Sequence, residues 1–108
     1  MKPPITQPLA FENLLWVKKD GSETPVTIRI GVPYQVGEFE WACPAELRGV
    51  DVQFPDIRGD SSLQSLCLAI GLTRKRLTHL IEEGESLKFL ADRSPWDLAS
   101  LNATFGYP

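Results

Sequence analysis

The strongest constraint on the fold is one amphipathic segment that predicts a helix from Ser62 to about Glu83. Ser61 is a typical N-cap, and Gln64 three residues later completes a capping-box pattern. Gly84 is well placed to end the helix. At about 100° per residue, one side gathers the residues that we expect to cover a sheet: Leu63, Leu66, Cys67, Ile70, Thr73, Leu77, Leu80 and Ile81. The rest of the chain must therefore supply that sheet.

The residues before this helix show the alternation of antiparallel strands. Leu9 to Lys18 is rich in apolar and aromatic residues and is followed by an Asp-Gly turn signal, and residues 26–30 alternate with period two. Residues 38–47 alternate most clearly. One side of this third strand is mainly apolar and the other carries three carboxylates: Phe39, Trp41, Cys43, Ala45 and Leu47 against Glu38, Glu40 and Glu46. Pro44 cannot donate a ladder hydrogen bond, which predicts a sheet edge or a bulge there.

Further segments complete the predicted domain. Val50, Val52 and Phe54 predict a fourth strand, and Leu87 to Ala91 a fifth, while Ser94 and Pro95 are typical of a short helix start. We therefore predict an α+β fold, in which an antiparallel four- to five-stranded meander packs on one long amphipathic helix, with a short C-terminal helical turn. The length fits a single domain over residues 1–108, with an ordered core of about 8–101.

Leu68 and Leu72 lie one turn apart on the polar side of the helix, where the sheet cannot cover them. Either the C-terminal segment folds back over them, or another protein does. In the first case Trp96, Leu98 and Leu101 form a second layer. In the second case the leucine pair is the surface of a homodimer or of a complex with a partner.

Arg74 is the other exception, because its position on the helix falls among the apolar residues. A buried guanidinium needs a partner. One interpretation is that the side chain snorkels or forms an ion pair with a strand carboxylate. The other makes Arg74 the anion-binding residue of a cleft between helix and sheet, with Trp41 or Trp96 lining the wall.

Composition and charge exclude several kinds of function. The net charge is −3, and no basic stripe is present that would bind a phosphate backbone, so nucleic acid is not an expected partner. No apolar run approaches the roughly 18 residues of a membrane span. Cys43 and Cys67 both lie among apolar residues, which predicts buried, reduced thiols and a cytoplasmic location.

Catalytic and metal-binding patterns are missing from the sequence as well. His79 is the one histidine, and neither C-x-x-C nor H-E-x-x-H occurs. Glu38, Glu40 and Glu46 are predicted on a solvated strand face, where carboxylates keep ordinary acidity. We therefore expect no enzyme, no metal and no cofactor.

Four segments resemble a family of small bacterial proteins of unknown function. They are the Val26–Gly31 strand, the W-x-C-P strand at Trp41–Pro44, the D-S-x-L-Q-x-L helix start at Asp60–Leu66 and the final Phe105–Pro108. The resemblance covers most of residues 24–108. It implies a bacterial cytoplasmic protein and contributes no reaction, cofactor or site residue.

Two hypotheses for function follow. The first is a small bacterial interaction module, immunity- or antitoxin-like or otherwise partner-binding, which binds another protein or a second copy of itself. Its surface would be an edge strand with the acidic residues Glu38, Glu40 and Glu46, or the patch of Leu68 and Leu72, since acidic surfaces suit basic targets. The alternative is a protein that binds a small anionic ligand in the cleft of Arg74, Trp41 and Trp96.

Overall fold

The computed structural model describes residues 5, 7–50 and 54–106. It confirms the α+β class and contains one long helix and one short one. The elements in chain order are β1 (Ala10–Val17), β2 (Glu23–Ile30), β3 (Tyr34–Gly37), β4 (Glu40–Cys43), β5 (Ala45–Arg48), β6 (Ile57–Gly59), α1 (Ser62–Glu82), β7 (Ser86–Phe89) and α2 (Leu98–Thr104). No helix among the described residues is long and apolar enough to cross a membrane.

The strands form two antiparallel sheets rather than one meander. The first has the order β5-β2-β1-β7, and the second has the order β3-β4-β6. The predicted strand over residues 38–47 is split at Pro44, so that β4 belongs to the three-stranded sheet and β5 to the four-stranded one. The chain therefore passes from one sheet to the other at Pro44. Because both β4 and β5 are strands, the alternation of apolar residues continues on both sides of Pro44.

The two sheets are joined by a bent two-chain ribbon. One chain of the ribbon is β2 followed by β3, and the other is β4 followed by β5, with β2 paired to β5 and β3 paired to β4. At the bend, Gly31 N–H donates to the carbonyl of Pro44 at 2.9 Å. The bend places Ala42 and Cys43 in the interior together, although neighbours on a flat strand would face opposite sides.

The predicted fourth strand differs from the structure. Val52 lies outside the described residues, and Val50 and Phe54 are buried without belonging to a strand. Among the described residues the next strand after β5 is β6, which pairs with β4. Apolar character at residues 50 and 54 thus reflects burial under the sheets and not a strand.

Helix α1 begins as predicted. Ser61 Oγ accepts from Gln64 N–H at 3.0 Å, and Gln64 Oε1 accepts from Asp60 N–H at 2.6 Å. Its buried face is rotated from the predicted one in the first half: the buried residues are Ser65, Ala69, Thr73, Leu77 and Leu80. Leu63 and Cys67 are exposed, so the prediction that both cysteines are buried is wrong for Cys67 and confirmed for Cys43.

The rotation of α1 has a steric cause at β6. A Cβ atom on Gly59 would lie 2.7 Å from the backbone nitrogen of Ser65, so strand and helix backbones are close to contact. Only a small side chain fits at such a contact, and Ser65 occupies it. The larger Leu63 is thereby turned toward solvent.

The C-terminal region folds back as an extra layer. After β7, Phe89 N–H donates to Ser94 O at 2.9 Å and Trp96 N–H to Leu87 O at 2.8 Å, so residues 94–96 cover the outer edge of β7. Asp97, rather than the predicted Ser94, caps α2, and its side chain accepts from Ser100 N–H at 3.0 Å. Ser94 donates to Asp92 instead.

Candidate interaction surface

The β3–β4 hairpin carries the largest concentration of exposed apolar side chains close together in the sequence. Its two strands are joined by a two-residue turn at Glu38 and Phe39. Four side chains are exposed on the hairpin and its lead-in, and we call them the hairpin surface: Val32 (59% exposed), Tyr34 (42%), Val36 (39%) and Phe39 (77%). Three of them recur at every second residue, as side chains on one face of a strand do.

Phe39 has no evident role in forming the turn. Tight turns favour Gly, Asn, Asp and Pro, because these residues adopt the required angles or bond their own backbone. Neither Glu38 nor Phe39 has a positive φ, and Phe39 is the most exposed large apolar residue in the described part of the chain. The alternation of residues 38–47 predicts Phe39 on the inner face of a strand, and this prediction is wrong, because the hairpin turns there.

Tyr34 is held in place from the neighbouring strands. Its hydroxyl donates to the carboxylate of Asp56, and it lies opposite Ala42, which is fully buried. The hydrogen bond to Asp56 is the main cause that raises the pKa of Tyr34, and desolvation and the charge of Asp56 add to it. A fixed aromatic ring with an exposed face loses little conformational entropy when a partner covers it.

Strand β3 is an edge of the three-stranded sheet, and no strand among the described residues pairs with its outer side. Residues 31–37 contain no charged side chain. The other edges are better protected, because β5 carries Glu46 and Arg48, β6 carries Arg58, and residues 94–96 cover β7. The edge of β3 is thus the one suited to pairing with another chain.

The three predicted acidic residues separate into two places. Glu38 lies at the hairpin turn, and Glu40 begins β4, where it pairs with Arg58 at 3.0 Å. Glu46 lies in the four-stranded sheet, where it pairs with Arg48 at 2.9 Å and accepts from Ile5 N–H at 2.6 Å. Only Glu38 and Glu40 therefore border the hairpin surface.

The predicted patch of Leu68 and Leu72 is also divided. Leu68 is 47% exposed, whereas Leu72 is partly buried and packs against the core. Helix α2 packs on α1, and Trp96 and Leu101 are buried as the predicted layer requires, whereas Leu98 is 43% exposed and does not belong to it. This layer leaves Leu68 uncovered, together with Leu63 and Cys67 on the first turns of α1.

The residues of the predicted anion cleft lie in different environments. An Arg74 guanidinium nitrogen donates to Asn102 Oδ1 at 3.1 Å, between α1 and α2. Trp41 on β4 is opposite Gly59 on β6, and Gly59 lies against Ser65 in the first half of α1. Nine residues of helix separate Ser65 from Arg74, roughly 13 Å along the axis. Arg74 and Trp41 therefore do not face the same cleft.

Trp96 is a core residue and only 1% exposed. Its indole nitrogen is buried and donates to no acceptor among the described residues. Buried indole groups usually find a partner. Since the ring is enclosed by the core cluster rather than by a cleft, Trp96 contributes to packing between β7 and α2.

A metal centre finds no support in the described residues, where no three His, Cys, Asp or Glu side chains are grouped to hold an ion. Comparison of the chain with protein-family models, with curated proteins and with solved structures finds no match in any of the three. The resemblance to a bacterial family consequently remains a prediction from the sequence motifs.

Proposed function

We propose that this chain is a protein-interaction module that docks through the hairpin surface. The observation that carries the proposal is the exposure of Val32, Tyr34, Val36 and Phe39 on an uncharged edge strand and its turn. None of these exposed faces contributes to the core. Exposed apolar side chains grouped in this way are typical of a surface that another protein covers.

The extent of the surface fits this role. With aromatic side chains of roughly 150–250 Å² each, the four exposed fractions leave on the order of 400 Å² of apolar area. Patches of roughly 300–600 Å² are the largest on typical monomers and are often functional. Phe39 and Tyr34 are also of the residue classes enriched at the centre of interfaces. We expect Phe39 to be the main anchor.

The charges around the hairpin indicate the kind of partner. Glu38 and Glu40 border the apolar residues, and the whole chain carries a net charge of −3. Acidic side chains at the rim steer association with a basic protein. A basic partner in a bacterial cytoplasm is what an immunity- or antitoxin-like protein would bind, in line with the sequence resemblance.

The alternative of a small anionic ligand has weaker support. Its key residue, Arg74, has its guanidinium engaged with Asn102, and the two tryptophans of the predicted cleft are elsewhere in the fold. An anion would have to compete with this side chain contact between the helices. The hairpin surface needs no such rearrangement.

A capture experiment tests the proposal. The wild-type protein and the double variant Val36→Ser with Phe39→Ser are immobilised and exposed at low salt to a lysate of the source organism. Leu90→Ser with Leu98→Ser is the control, because it removes two leucines, each 43% exposed, that lie outside the hairpin. We expect a specific partner whose capture falls at least about 10-fold in the hairpin variant and is unchanged in the control. Equal capture by all three proteins would contradict the proposal.

A further inference from the structure

We infer that one occupant of the hairpin surface is a second copy of this chain, bound by antiparallel pairing of β3 with β3 of the partner subunit. The inference rests on the proposed function, because it assigns a partner to the same surface. The paired strands would extend the β3-β4-β6 sheet across a two-fold axis into a six-stranded sheet.

Charge is the first argument for self-pairing. In an antiparallel two-fold pair the two copies of each residue lie at equal distances on either side of the axis, so a charged residue close to the axis lies near its own copy and is repelled by it. Residues 31–37 carry none. The nearest charge along the strand is Glu38, and in a pair centred on Tyr34 the two copies of this residue are eight positions apart, about 26 Å at roughly 3.3 Å per residue. This separation exceeds the Debye length of about 8–10 Å at ordinary salt.

Side-chain complementarity is the second argument. An axis through Tyr34 places Val32 opposite the partner's Val36 and each Tyr34 opposite the other. Aromatic pairs and β-branched pairs are among the cross-strand combinations that stabilise sheets. All three residues are exposed in the single chain, so the pairing uses surface that the fold leaves open.

The size of the contact sets its strength. Strand β3 is four residues long, and its register against β4 shifts between Gln35 and Gly37, so a ladder between two copies of β3 is short. Two hairpin surfaces would bury on the order of 800 Å² of apolar area, which is below the range of stable complexes and typical of weak ones. The dimer is therefore reversible and depends on concentration, and a tighter partner protein can displace it from the same hairpin.

Sedimentation equilibrium over roughly 10 µM to 1 mM protein tests the inference. For the wild type we expect the mass to rise from 12.1 kDa toward twice that value. Val32→Lys combined with Val36→Lys places like charges opposite each other and should keep the protein monomeric. Val32→Lys combined with Val36→Glu places opposite charges opposite each other in the proposed register and should restore the dimer.

The control introduces two lysines on the exposed side of α1, as Leu63→Lys with Leu68→Lys, and should leave the dimer unchanged. Circular dichroism and the melting temperature verify that each variant is folded. A wild-type protein that stays monomeric at the highest concentration overturns the inference, as does a dimer that the paired lysines on β3 do not affect. If the protein is monomeric but captures a different protein through Phe39, the proposed function stands and only the second copy is excluded.

Discussion

Gly31 and Pro44 touch where the bent ribbon passes from one sheet to the other. The Gly31 N–H donates to the Pro44 carbonyl, and a Cβ atom on Gly31 would lie 2.9 Å from Pro44 Cγ. The proline ring therefore occupies the space that any larger residue at position 31 would need. This contact fixes the direction in which the β3–β4 hairpin leaves the four-stranded sheet.

Replacing Gly31 by alanine should destabilise the protein by about 1–3 kcal/mol, because the new methyl group overlaps the ring of Pro44 in a buried contact. The free energy of unfolding from urea denaturation measures this loss. Gly37→Ala is the matched control on the same ribbon, since its Cβ would have ordinary contacts beginning at 3.6 Å from Glu40. An equal effect at both positions would show that the loss comes from glycine replacement in general.

A second prediction concerns the contact of β6 with α1. Gly59→Ala should cost about 3 kcal/mol, at the upper end for overpacking, because the obstructing atom is the backbone nitrogen of Ser65 and cannot turn away like a side chain. Gly71→Ala provides the opposite control. Nothing lies within 4 Å of a Cβ there, and alanine should stabilise the helix by about 0.5–1 kcal/mol. Thermal unfolding of both variants measures these changes in stability. A melting temperature of Gly59→Ala equal to that of the wild type would contradict the steric contact with Ser65.

The same contact explains what the sequence could and could not predict about α1. The helix boundaries were predictable, because Ser61 and Gln64 form a capping box from residues close together in the sequence and Gly84 follows the end of the helix. The face that the helix turns toward the sheets was not predictable, because a hydrophobic pattern predicts that large apolar side chains are the buried ones. At β6 the close backbone approach instead selects Ser65, and Leu63 is left outside.

The type of candidate surface was predictable from the sequence, but the strand that forms it was not. An edge strand with an acidic face was expected over residues 38–47, but β4 is the central strand of its sheet and the edge is β3, which Glu38 and Glu40 border. Strand β3 itself was missed, because Pro33 and Gly37 enclose a run too short to stand out from a loop. Its pairing with β4 depends on the bend at Pro44, which is a contact between distant segments and leaves no local pattern.

The two cysteines should differ in reactivity, because Cys43 is buried between the sheets and Cys67 is exposed on α1. An aromatic disulfide reagent should modify one thiol rapidly in the native protein and the second only after denaturant is added. Cys67→Ser should remove the rapid phase and leave the slow one. Two thiols reacting at the same rate in the native protein would contradict the rotated orientation of α1.

The last prediction concerns acid stability and the cap of α2. Hydrogen bonds from Ser100, first from its backbone N–H and then from its hydroxyl, lower the pKa of Asp97 below its ordinary value of 3.8. A group whose pKa is lower in the folded state contributes stability above its unfolded pKa, and that contribution is lost as the pH falls through the folded value. The melting temperature should therefore decrease between about pH 5 and pH 2 in part through Asp97.

Asp97→Asn separates this effect from the cap itself. Asparagine caps helices about as well as aspartate but does not titrate in this range, so the variant should keep α2 and show a smaller decrease in melting temperature from pH 7 to pH 3. The remaining decrease comes from the other carboxylates with a lowered pKa, among them Glu23, which pairs with Arg93, and Asp20 and Asp92, which accept from serines two residues on. If the variant and the wild type lose the same number of degrees on acidification, Asp97 is not held as a carboxylate at the helix start, and the hydrogen bonds to Ser100 do not persist in solution.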